Sequence, residues 1–70
     1  MNKYYFTFGQ DHTHSVNGYT YDKDVVCVIK AVDAETARDI MRDHFGLKWS
    51  FSYYLEPDMN YYPRGLKELN

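Results

Sequence analysis

The chain is 70 residues long, with eight Lys and Arg against ten Asp and Glu and a formal net charge of -2. A chain of that size buries only about 60% of the surface its unfolded form exposes, so it holds one core and is stable by a narrow margin. The charge balance excludes the basic footprint of a long nucleic-acid binder, and the one cysteine, Cys27, excludes an internal disulfide or a cysteine-based zinc site.

No apolar run nears the roughly 20 residues that span a bilayer, and the first ten residues lack the basic start and long apolar stretch of a secretory leader. A cytoplasmic protein with no membrane partner is therefore expected. Eight Tyr, four Phe and one Trp are more rings than one small core hides, so aromatic surface is expected outside it.

Residues 3–8 alternate Lys3, Tyr5 and Thr7 with Tyr4, Phe6 and Phe8, the two-residue period of a strand, and Gly9 closes it. Residues 10–23 are polar and turn-rich: a loop, or a hairpin arm in which Asn17-Gly18 makes a tight primed turn and Tyr19 and Tyr21 alternate as a short strand. Val25, Val26, Val28 and Ile29 mark residues 24–32 as a central strand, covered on both faces or on one face plus a subunit contact.

Asp33 then stands as an N-cap with Glu35 in the first turn, and the spacing predicts a helix over 34–45. Its stripe of Ala34, Ala37, Ile40, Met41, His44 and Phe45 faces the sheet, with Glu35, Asp39, Arg42 and Asp43 opposite. His44 is read as a hydrogen-bonded residue at the edge of the core. Gly46 suits the left-handed end of a helix. Residues 48–55 read as a third main strand with Trp49, Phe51, Tyr53 and Leu55 packed under the helix and Ser50, Ser52 and Tyr54 turned away. Pro57 ends that ladder.

The order predicts an α+β fold: a small ββαβ domain, mainly antiparallel sheet packed on one helix, with residues 1–70 a single domain, its core at 3–55 and an irregular packed tail at 56–70. The sheet face turned from the helix, with Tyr5, Thr7, Val26, Val28 and Tyr54 on or near it, is expected to lack cover. A homodimer or higher oligomer is expected to close it, bringing two copies of the His12 loop into one shared pocket.

Phe6-Thr7-Phe8-Gly9 followed by His12, a Val/Ile strand, Glu35 with Ala37-Arg38, then Phe45-Gly46 with Trp49 and Tyr53, resembles a group of small uncharacterised tailed-phage proteins. The likeness spans roughly residues 4–54. It implies a setting, the host cytosol, rather than a reaction. Small phage proteins of this kind often act in host takeover or counter-defence, by inhibiting defence effectors or by sequestering nucleotide signals.

Three sets of residues can carry a function in that setting. Gly9, His12, His14, Arg38 and Lys48 are candidates for a nucleotide-like ligand: glycine for close backbone approach, imidazoles for an anionic or aromatic group, and cations for a phosphate. Gly9 equally suits a plain strand-ending turn, and Arg38 can instead pair with Glu35. Tyr19, Tyr21, Tyr54, Tyr61 and Tyr62 are candidate anchors for a host protein, tyrosine being enriched at interface hot spots. Asp11, His12 and His14 can share a metal as a hydrolase would, but a zinc site needs three or four protein ligands and no second cluster supplies them, so no metal is expected. Phe51 and Tyr53 with Trp49 are read as core in preference to a base-stacking platform.

Cys27 is expected to be buried as a small hydrophobe. No Ser-His-Asp spacing, paired carboxylates, phosphate loop or dinucleotide fingerprint is present, so neither catalysis nor a cofactor is expected. The leading expectation is a phage-type counter-defence binding protein that sequesters a nucleotide-like ligand. The alternative is an inhibitor that binds a host defence protein directly.

Overall fold

The computed structural model describes residues 1–16 and 18–70. Its elements run β1 (Asn2–Thr7), β2 (His14–Val16), β3 (Tyr19–Tyr21), β4 (Val25–Ala31), α1 (Ala34–Phe45), β5 (Phe51–Tyr53) and β6 (Gly65–Glu68), with one 3-10 turn at Met59–Tyr61. The two apolar-rich runs read from the sequence pair with each other: β1 runs antiparallel to β4 from Asn2 opposite Ala31 to Thr7 opposite Val26. That pair occupies the middle of a four-stranded sheet of order β5-β1-β4-β6. β5 is antiparallel to β1 and β6 is parallel to β4, so the sheet is mostly antiparallel and carries one helix, the α+β arrangement expected.

His14–Val16 and Tyr19–Tyr21 pair antiparallel, β2 with β3, as the arms of a hairpin rather than a plain loop. The Asn17 half of the expected Asn17-Gly18 turn lies outside the described residues. The helix begins where the sequence places it, because the extended Asp33 turns its carboxylate back to accept the Thr36 amide at 2.8 Å. It ends at Gly46, whose amide donates to the Arg42 carbonyl at 2.8 Å. Gly46 has the positive φ expected, 63°, but its ψ of -131° lies outside the left-handed helical region, in a corner that glycine reaches because it has no Cβ.

Ala37, Met41 and Phe45 bury one helix face on Tyr4, Phe6, Phe8, Cys27 and Ile29, while Ala34 and Ile40 pack half-buried beside them. His44 is exposed, correcting its assignment to the core edge. It lies at the margin of the stripe, where Phe45 fills the space next to the hairpin.

The third strand departs most from the sequence reading. Only residues 51–53 pair with β1, and Phe51 and Tyr53 face away from the helix while Ser52 faces it, in line with Phe6 and Cys27. Trp49 alone meets the expectation in part, half-buried and edge-on to Phe6 at 5.1 Å. The cause is at Ser50. Its amide donates to the Thr7 carbonyl at 2.9 Å, although the register partner of Thr7 is Phe51. Two residues of this segment thus oppose one of β1, as in a β-bulge, and the inside-outside alternation shifts by one residue.

The far face of the sheet is not bare. Thr7, Val26 and Val28 are 3, 0 and 4% exposed, although no helix lies on their side. β5 and β6 sit at opposite edges, so residues 54–64 must cross the sheet, and they cross on that face. Pro57, Met59 and Tyr62 are half-buried along the way, and burial pushes the Tyr62 hydroxyl upward, with Tyr53 adding to the shift and Thr7 opposing it. Tyr54 turns the other way, onto Tyr4, with ring centroids 5.6 Å apart. The expectation that Thr7, Val26, Val28 and Tyr54 form an uncovered oligomer face is therefore corrected.

Nor is the tail irregular throughout. Residues 65–68 form β6, Leu69 joins the core, and the Asn70 side chain continues the ladder by accepting from the Lys30 amide and donating to its carbonyl at 2.9 and 2.8 Å.

Two stability measurements follow from this frame. The Asp33 carboxyl is held below its usual 3.8 by the Thr36 side-chain and backbone hydrogen bonds. Its contribution is therefore present above that value and lost as pH falls through the lower folded value. Asp33→Ala is expected to lower Tm at neutral pH and flatten this acid limb, while Asp33→Asn recovers most of the neutral Tm, an uncharged cap still accepting the amide. Phe45→Ala removes the ring that Phe8, Tyr21 and His14 share and is expected to cost about 3 to 5 kcal/mol in urea unfolding, comparable with the whole stability of a small domain.

Candidate binding surfaces

The residues expected to hold a small ligand fall into two places. At the C-terminal end of α1, the hairpin folds over the core and His14 packs on Phe45 and Phe8, with ring centroids 5.0 and 5.8 Å away. His14 Nε2 lies 2.9 Å from the Lys48 carbonyl oxygen, so the ring donates there when that nitrogen carries the proton. Lys48 thus meets His14 through its backbone, and its side chain is exposed. His12 is half-buried in the loop before β2.

Gly9 completes this corner, but what approaches it is the chain itself. The Ser50 hydroxyl donates to the Phe8 carbonyl at 3.0 Å and occupies the space that a Cβ on Gly9 would need. With a φ of 66° the position also favours glycine on backbone grounds. Gly9 therefore closes a tertiary contact with Ser50, the residue whose amide forms the bulge.

Arg38 stands apart. It lies two turns before Phe45, about 10 Å along the helix axis. There it lines a cleft with Tyr4, Phe6, Ala34, Ser52, Tyr53 and Tyr54. The cleft has a cavity volume of about 20 Å³, room for one ordered water. The pairing of Arg38 with Glu35 is not among the ion pairs of the described residues, which are Lys23–Asp24, Arg42–Asp39 and Arg64–Asp22. Its charge acts on Asp33 instead.

The candidate anchor tyrosines separate by exposure. Tyr21 is 5% exposed and sits in the core against Phe8 and Phe45, so it is corrected from an exposed anchor to a packing residue. Burial pushes its hydroxyl upward, with Cys27 and Tyr19 adding to the shift. Tyr19 is half-buried between Tyr21 and the Lys67 ammonium, which lies 4.9 Å from its ring centroid. Tyr62 is half-buried under the tail. Tyr54 and Tyr61 remain open, at 73 and 75% exposure.

Sequence reasoning missed three further members of this surface. Leu55 is 82% exposed, Phe51 58% and Tyr53 39%, all three having been read as core. For Phe51, alternation with Ser50 and Ser52 was the only signal, and the bulge reversed its meaning; Leu55 lies beyond the paired residues of β5. Phe51 and Tyr53 lie side by side, ring centroids 6.4 Å apart, on the sheet face away from the helix.

Among the described residues no three His, Cys, Asp or Glu side chains converge as metal ligands, and no helix is long and apolar enough to cross a membrane. Cys27 is fully buried, and desolvation pushes its thiol up to about 12. The neutral thiol favours the fold, so this contribution is fully present below the ordinary 9.0 and is lost as pH rises toward the folded value. A thiol reagent at neutral pH is expected to label Cys27 only as fast as the protein unfolds; rapid labelling of the native protein would place the thiol at the surface.

Compared with protein-family models, curated proteins and solved structures, the chain matches none of them.

Proposed function

We propose that the chain is a non-catalytic binding protein that contacts a protein partner through the aromatic surface between β5 and the 3-10 turn. The observation that carries this reading is the exposure of Tyr54, Leu55 and Tyr61, three large apolar side chains within one eight-residue segment. Single exposed apolar residues are ordinary on any surface, but three within one short segment of so small a domain mark that segment as a candidate contact. Tyrosine is also the residue type that most often anchors an interface core. The phage-like motif pattern supplies the setting: a host protein, such as a defence component, bound directly in the cytosol.

A second reading keeps the nucleotide-like ligand and moves its site. Phe51 and Tyr53 offer two neighbouring ring faces to a base, and by strand register Lys3 and Lys30 lie on the same sheet face. A mononucleotide asks less of the net charge than a polynucleotide does.

Leu55→Ala combined with Tyr61→Ala is expected to leave Tm nearly unchanged, since both side chains are exposed, and to abolish recovery of a stoichiometric host protein in pull-downs. Undiminished recovery would move the contact elsewhere on the molecule. Calorimetric binding of nucleotides by the wild type that disappears in Phe51→Ala would favour the second reading instead.

A further inference from the structure

We infer that the free edge of β5 pairs with the β5 edge of a second copy of this chain, antiparallel about a two-fold axis at Ser52. β5 terminates the sheet order, so its outer edge faces no strand among the described residues. The opposite edge strand, β6, carries Lys67 and Glu68, charges of the kind that discourage further pairing. Phe51-Ser52-Tyr53 carries no charge and no proline.

The edge is complementary to itself. Reversal about Ser52 sets Phe51 of each copy opposite Tyr53 of the other, giving two cross-strand aromatic pairs on the face away from the helix. Ser52, the residue at the axis, is small and faces the helix side, so the two copies meet there without bulk. Lys48 precedes the strand and Glu56 follows it, both exposed, and the antiparallel arrangement brings the Lys48 end of each copy to the Glu56 end of the other. The outcome is one continuous sheet with both helices on the same side, and the strand contact itself does not include Tyr61, which belongs to the 3-10 turn.

The size of the contact sets its strength. Phe51 and Tyr53 together expose about one aromatic side chain, roughly 200 Å² per copy, and flanking Tyr54 and Leu55 raise this to several hundred. Standard stable interfaces bury about 800 Å² per partner, so the dimer is weak, with a Kd on the order of 10 to 100 µM.

Sedimentation equilibrium of the full chain across that range is expected to show the mass rising from one chain toward two, and Phe51→Lys is expected to weaken association roughly tenfold or more. Ser52→Cys gives a readout of the axis itself, because residues facing each other across an antiparallel pair have Cα atoms about 4.5 to 5.5 Å apart, a spacing a disulfide spans. Mild oxidation is expected to link two copies through residue 52 and to leave an Asp43→Cys control on the exposed helix face largely unlinked. A mass of one chain at every concentration, or equal linkage of the control, overturns the inference. Dimerisation retained in a Tyr61→Ala protein while host capture is lost would separate this contact from the one proposed for the partner.

Discussion

The central β1–β4 ladder is buried on both faces by different parts of the same chain, and the rest of the structure depends on that. One face lies under Ala37, Met41 and Phe45 of α1. The other, with Thr7, Val26 and Val28, lies under the segment that carries the chain from one edge of the sheet to the other. A domain of this size has little apolar surface to spare, and using the tail as a second layer lets a single helix suffice. β6 and the Asn70 side chain then fasten the end of that layer to β4.

With the central strands closed, the margins decide what is available for binding. At one corner, the Ser50 hydroxyl on the Phe8 carbonyl and the missing Cβ of Gly9 lock the start of the third strand against the end of the first. The amide of the same serine, on the Thr7 carbonyl, introduces the bulge that turns Phe51 and Tyr53 outward. One residue, Ser50, thus links a strand end, a glycine and the sidedness of the aromatic edge. Trp49 packs edge-on against Phe6 beside this corner, its indole N–H buried without an acceptor among the described residues.

The aromatic surplus is partitioned rather than scattered. Tyr4, Phe6, Phe8, Tyr21 and Phe45 lie in the core, where Phe8 meets Phe45 edge-on at 5.0 Å, as ring quadrupoles favour, and Tyr21 packs tilted against both. Phe51, Tyr54, Leu55 and Tyr61 lie outside, on β5 and the segment after it. That division supports reading the region as a contact surface, and it is the reason the ligand set built on His12, His14, Arg38 and Lys48 loses ground. Those residues are split between the hairpin corner and a cleft about two helical turns away.

The sequence by itself determined the elements whose signals are local. The two apolar-rich strands, the Asp33 cap, the helix stripe and the buried Cys27 follow from side-chain period, capping chemistry and cysteine burial, all of which act within a few residues. Tertiary structure alone decided the face of β5, the burial of Tyr21 and the strand at residues 65–68. Each depends on a partner distant in the chain: Ser50 on Thr7, Tyr21 on Phe45, and Leu66 opposite Val26. A period of two residues says that a strand has two sides, but which side is buried depends on phase, and one bulge residue is enough to reverse it.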